Sequence, residues 1–351
     1  MRLPTRTLLL LWFLAISVQR GLAHDHLYRV EAGDTLFSIA RRFEVTLDHL
    51  AAWNALTDLD RLEVGQILRL APPGLETLSL PDEILEMRLE PEQAVQGRVQ
   101  VLELRLDETS EVAGYRYLGD ELPVTGALES GVYRVLLPVP VLAEPGWGTL
   151  TVRLSSAASK SEVDVPIFVL DGGFAREEIW LSESASRLLE PAIVDRENWL
   201  METICLARET KARWQGPFQY PVQTPTVTSR FGTLRSYNGG PYRNFHRGLD
   251  LRGDPDTLVS TAAGGTVILA ETLTVRGNTV IVDHGLGVCS GYMHLDRITV
   301  ELGDALEAGD PVGFVGATGL VTGSHLHWEV RVSGVPVSPG FWVDPGVRGL
   351  R

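Results

Sequence analysis

Gly323-Ser324-His325-Leu326-His327-Trp328-Glu329, running on to Val332, reads as a β-strand carrying two histidines. Residues two apart on a strand point to the same face, so His325 and His327 share one. Upstream, another strand candidate over Val288–Met293 runs into Tyr292-Met293-His294-Leu295, and His246-Arg247-Gly248-Leu249-Asp250 places two further metal-binding residue types four apart. His246 and Asp250 share a face if that segment is extended. Around these groups the chain is Gly-rich and β-branched from about residue 218. Thr266–Leu269, Thr279–Val282 and Pro311–Val315 supply more strand candidates between glycine turns, and helical periodicity is absent. A mostly antiparallel β-domain over 218–345 follows, its ligands projecting from strands and adjacent loops. Nitrogen and carboxylate donors with an open fourth position suit catalytic zinc, which takes three protein ligands and a water. A lone His-x-His carries little weight; with the His-x-x-x-Asp and the Tyr-x-His beside it, the signal is strong.

The chain has 351 residues, 44% apolar and 22% charged, which implies two to four folded domains and excludes global disorder. Its start reads as a cleaved export signal over residues 1–23: Arg2 and Arg6, an apolar run from Leu8 to Ile16, and a small-residue site at Gly21-Leu22-Ala23. That run is shorter than the roughly 20 residues a membrane span needs, so no stable membrane anchor is expected. The implied location is the periplasm, the cell wall or outside the cell. Losing Arg2, Arg6 and Arg20 and no acid takes the net charge from −14 to −17. Such a surface repels phosphate backbones and argues against nucleic acid as a partner. The new end, His24-Asp25-His26, reads as a polar terminus, although a histidine third from a free amine can also hold Cu(II) or Ni(II). Cys205 and Cys289 can pair after export or remain buried thiols.

Four further segments precede or follow the β-domain. Residues 28–71 read β-α-α-β: a strand at Tyr28-Arg29-Val30, a Thr35-capped helix showing Leu36, Ile39, Ala40 and Phe43, a second helix from a Thr46 cap, and a closing strand over Val64–Leu70. After Ala71-Pro72-Pro73-Gly74, residues 75–173 alternate short β-runs with Pro and Gly turns, as in a β-sandwich spacer. Residues 174–217 read as an extension and a helical bridge, with a helix from an Asp195 cap to about Glu209 that offers Trp199, Leu200 and Ile204 for packing. Residues 346–351 are a tail. The expected fold class is multi-domain and mainly β.

Two resemblances add to this reading. Tyr28, Val30, Gly33-Asp34-Thr35-Leu36, Ile39-Ala40, Leu50, Asn54, Leu56 and Gly65-Gln66-Ile67-Leu68 resemble a LysM domain, which implies binding of N-acetylglucosamine-containing glycan in peptidoglycan. His246-x-Gly248-x-Asp250, Tyr292-x-His294-Leu295 and Gly323–Glu329 resemble the lysostaphin and LytM-type zinc metallo-endopeptidases, as do Gly277–Gly285 and Gly309–Gly319 between them. This second resemblance implies one Zn2+ per chain on His246, Asp250 and His327. It implies that His294 and His325 are unliganded active-site histidines, either of which could be the base, and that the groove takes a peptidoglycan peptide. Glu329 could orient a ligand or face solvent, His284 reads as structural, and Asn244 lies near enough to reach the metal in a latent form. Where that family usually reads Ala-Pro-x-Gly-Thr-Pro-Val-x-Ala, this chain has Gly253–Ser260 with Asp256 in the glycine's place, a change at the groove rim. Competing readings are a non-enzymatic activator of wall amidases, which typically lacks the zinc residues that are all present here, and an inert wall-binding protein.

Overall fold

The computed structural model describes residues 27–343 apart from 44, 55, 57, 71–77, 79, 92, 125–130, 158 and 207–210. The export signal at 1–23, the His24-Asp25-His26 terminus and the tail at 346–351 lie outside the described residues. The chain divides into two compact units, residues 1–72 and 73–351.

In the first unit Leu27–Arg29 pairs antiparallel with Ile67–Arg69, and helices Leu36–Arg42 and Leu47–Trp53 lie between them in sequence. Thr35 and Ser38 close a reciprocal capping box, and Thr46 Oγ1 accepts from the His49 amide at 3.1 Å, so orphan donors of both helix starts are satisfied. Leu36, Ile39, Ala40, Leu50 and Leu68 form the core. Phe43 falls outside it: it caps the first helix and is 37% exposed against Tyr28. The closing strand is shorter than its alternation suggested because Gly65 takes φ +90° and turns the chain just before it. Asn54 accepts from the Arg69 amide at 2.6 Å and donates to the carbonyls of Leu50 and Arg69, clamping the second helix to that strand.

The second unit begins with two sheets around one core. Ile84–Glu90, Val99–Leu106 and Val132–Pro138 form a three-stranded sheet, and Ala94–Val95, Lys160–Leu170, Gly146–Ser156, Ser110–Tyr117 and Asp120–Leu122 a five-stranded one. Leu102, Leu104, Tyr115, Leu137 and Val152 fill the space they share. The three-stranded sheet is also covered on its other face: Val99, Val101 and Leu136 join the core of the following β-domain. These residues are therefore more than a detached spacer.

The bridge differs from its sequence reading. Its main helix runs Pro191–Ile204, with proline in its first turn and no side-chain cap, rather than starting at Asp195. Its phase buries Glu197 and Met201 and leaves Trp199 64% exposed. Arg176–Ile179 adds a parallel strand beside Leu234–Tyr237. Cys205 and Cys289 are buried free thiols packed with Met201 and Met293.

In the last domain Val227–Ser229, Leu249–Arg252, His325–Val332, Val288–Ile298, Gly277–Asp283, Gly265–Leu273 and Ala305–Leu306 each pair antiparallel with the next. Leu326, Trp328, Val330 and Val332 of the central strand have no exposed surface and anchor the core. None of the described helices is long and apolar enough to cross a membrane.

Candidate metal centre

Because the even-numbered side chains of the His325–Val332 strand sink into the core, His325, His327, Glu329 and Arg331 share its opposite face. The register then places Asp250 directly beside His327 on one flank and Met293 on the other. His246 does not share a strand with Asp250. It follows the short strand Asn244–Phe245, and a turn through Gly248 separates it from Leu249–Arg252. A Cβ at Gly248 would collide with the Trp328 carbonyl, so glycine lets this turn press onto the central strand.

Three donor atoms converge there. His246 Nε2 lies 2.9 Å and His327 Nδ1 2.7 Å from Asp250 Oδ1, and the two nitrogens are 3.0 Å apart. The far side of each ring is already engaged: His246 Nδ1 donates to the Arg230 carbonyl at 2.9 Å, and His327 Nε2 to Glu329 Oε1 at 3.1 Å. Glu329 in turn accepts from Arg331 Nε at 2.8 Å, and both are buried.

Burial lowers the pKa of His246. Burial acts the same way on His327, but hydrogen bonds to Asp250 and Glu329 outweigh it and raise that pKa to about 9. For Asp250 burial is opposed by the hydrogen bond from His327 and the charge on that ring, which hold its carboxyl well below the usual range. A proton on His327 is thus what reconciles two imidazole nitrogens and a carboxylate at this separation. A divalent cation satisfies the same three donors, and the outer hydrogen bonds fix both ring orientations as metal-binding histidines require. The residues fit a metal.

His294 and His325 complete the cluster. A register shift between Asn278 and Val280 marks a bulge opposite His294, which adopts φ +62° and so leaves the alternation of its strand. Its amide donates to the Arg276 carbonyl at 3.0 Å and its Nδ1 to the Thr318 carbonyl at 2.8 Å. Burial, with the nearby His327 charge, lowers its pKa to about 3, so the ring is neutral at ordinary pH. His325 Nδ1 donates to the Gly323 carbonyl at 2.8 Å, and its Nε2 lies 3.6 Å from Asp250 Oδ1. The two rings are 5.1 Å apart, and each keeps Nε2 unused by these backbone bonds.

All five histidine and aspartate positions singled out by sequence therefore meet in one place. Asn244 is exposed and outside the converging donors, while His284 is fully buried between the Gly264 carbonyl and Ser290 Oγ, both at 2.8 Å. Tyr292 is equally buried and pins the Ala262 amide at 2.7 Å. Sequence reading left Glu329 open; the polar-apolar alternation of its strand was the signal that it joins the His327 face.

It missed Glu197. This buried helix residue accepts from the amides of Val275 and Arg276 at 2.8 and 3.3 Å and from Arg276 Nη1 at 3.1 Å, steadying the loop whose carbonyl holds His294. The same helix contributes Val194 and Asn198 to a groove of 590 Å³ over the site.

A buried two-histidine, one-carboxylate centre beside two further histidines, on an antiparallel sheet, defines a metal-site β-protein. The comparisons sharpen this: the chain carries a peptidase family M23 domain at residues 244–339 and a LysM domain at residues 28–71. M23 is a metallopeptidase family. Among relatives, the Vibrio cholerae peptidoglycan DD-endopeptidase ShyA is 35% identical over 126 residues, covering 35% of this chain and 29% of that protein. The Neisseria meningitidis DD-carboxypeptidase/endopeptidase Mpg is 34% identical over 118 residues, 33% and 27% of the two chains. The chain therefore spans less than a third of the length of these relatives. A solved Pseudomonas aeruginosa structure assigned to peptidase M23 is similar with a TM-score of 0.51 and 25% identity, covering 71% of this chain and 94% of that one.

Proposed function

We propose that this protein is an exported zinc endopeptidase that hydrolyses peptide cross-links or stem peptides of peptidoglycan, held on the glycan by its LysM domain. The observation that carries the proposal is the convergence of His246 Nε2, Asp250 Oδ1 and His327 Nδ1 within a groove that also presents His294 and His325. The similar protein named a peptidoglycan DD-endopeptidase supplies the substrate class, and the similar DD-carboxypeptidase/endopeptidase supports cleavage of a peptide.

In this reading His246, Asp250 and His327 would hold one zinc ion, which when bound would supply Lewis acidity toward the scissile carbonyl and the attacking water. Glu329 and the Arg230 carbonyl keep the two liganding rings aimed. One of His294 and His325 takes a proton from the water, the pair stabilises charge on the tetrahedral oxyanion, and the proton passes to the leaving amine. The backbone acceptors at Thr318 and Gly323 fix each ring with Nε2 available for that transfer.

The test combines metal analysis with peptide release from purified wall sacculi. The wild type should hold one zinc and release peptide, and His246→Ala should lose both. His294→Ala and His325→Ala should keep the metal and lose about 10²- to 10⁴-fold in rate. Stoichiometric zinc without release by the wild type would refute the enzyme reading.

A further inference from the structure

The groove over the metal centre holds more positive charge than its own acids neutralise. Arg235 is paired with Glu177 at 3.2 Å, and Arg276 with Glu197 at 3.1 Å. Glu329 is taken by His327 and Arg331, and Asp250 belongs to the donor cluster. Arg247 is left over. It lines the groove one residue after His246, and among the described residues it has neither a hydrogen bond nor an ion pair. Its Cζ sits 5.1 Å from the centre of the Phe245 ring, which gives the guanidinium a flat support.

Arg247 is half-buried in the groove wall. Yet its nitrogens are not among the polar atoms sealed from solvent without a partner, so the groove can reach them. An unpaired, half-buried guanidinium is costly in a chain with 45 acidic residues available to pair it. An anion entering the groove removes that cost. Arg252, exposed and also lining the groove, adds a second positive charge.

We propose that Arg247 forms a carboxylate-binding subsite, next to the metal ligand His246, that grips a free carboxylate of the peptide being cut. This deepens the endopeptidase reading and rests on it. A guanidinium fork matches a carboxylate through two parallel hydrogen bonds and fixes its orientation as well as its charge. Wall peptides carry such groups on their acidic and diamino-acid residues and at their ends. The substrate class is therefore a peptide bearing a free carboxylate close to the scissile bond.

The experiment uses the zinc-loaded full chain and cross-linked muropeptides, either untreated or with their carboxylates converted to amides. The wild type should show a KM about tenfold or more higher for the amidated form. Arg247→Met should raise KM for the untreated form and bring the two values together, and Arg247→Lys should recover part of the difference. Zinc content and melting temperature show whether each variant is folded. Equal KM values for the two forms with the wild type would overturn the subsite even if Arg247→Met failed to fold, as would an undiminished preference in that variant. Should the wild type cut neither form, calorimetric binding of both forms separates the two ideas. Tighter binding of the untreated form then keeps the subsite and refutes only the endopeptidase reading, and equal binding refutes the subsite as well.

Discussion

Mild acid should destabilise the β-domain through a histidine that has no part in the metal centre. His284 has no exposed surface; its Nδ1 donates to the Gly264 carbonyl at 2.8 Å, and its Nε2 lies 2.8 Å from Ser290 Oγ, which is 2.7 Å from Tyr292 Oη. Burial lowers its pKa from 6.5 to about 4, only partly offset by the Gly264 carbonyl. The unfolded chain, titrating near 6.5, therefore takes up the proton first as pH falls. The contribution to stability is complete above about 6.5 and is lost as pH falls toward 4. The linkage amounts to about 2 kcal/mol between pH 8 and pH 5 and about 3 kcal/mol by pH 4. Denaturant melts of the metal-loaded protein at pH 8, 6 and 5, compared with His284→Gln, isolate the effect. His246 and His294, whose pKa values are also lowered, act on both proteins alike. The wild type should lose about 2 kcal/mol more than the variant on going from pH 8 to pH 5. Parallel profiles, or an NMR titration of the His284 ring near its unperturbed value, would refute the reasoning.

Metal binding should release protons, since a His327 pKa raised to about 9 leaves that ring protonated at neutral pH without metal. Calorimetry at pH 7 in buffers of different ionisation enthalpy should count about one proton per zinc, and a count of zero would contradict the hydrogen bonding described. Glu329→Ala removes the acceptor that aims His327 and should weaken zinc binding by about 10- to 100-fold in a chelator competition. Glu197→Ala strands the buried Arg276 and should cost about 3–5 kcal/mol in a denaturant melt, with Arg276→Met added to Glu197→Ala recovering part of it. In the LysM unit, Asn54→Ala removes three hydrogen bonds to backbone and should lower stability by about 1–3 kcal/mol, read from the melt of that unit.

What was legible in the sequence was local. The alternation of His325 to Val332 encodes both the strand and the face that carries the site, and Thr35 encodes a helix start. The illegible parts depend on partners distant in sequence. Glu197 is a poor core residue by type, and only the Val275 amide and Arg276, 78 and 79 residues further on, make its burial tolerable. Without those partners the helix reads with Trp199 inward, the wrong phase. The bulge that turns His294 out of its strand follows from a register between Gly277–Asp283 and Val288–Ile298 that neither strand states alone. Asp256, which stands where the resembled family has glycine, adopts φ +72°, with its carboxylate on Arg297 at 3.0 Å.

The parallel pairing of Arg176–Ile179 with Leu234–Tyr237, and the hold of Glu197 on the loop behind His294, both begin before residue 244, where the family match starts. The segment that the family model matches is therefore smaller than the segment tied to the site in this chain. Grafting 244–339 alone into another architecture would transfer every donor atom and leave behind the beam that holds His294 square to them.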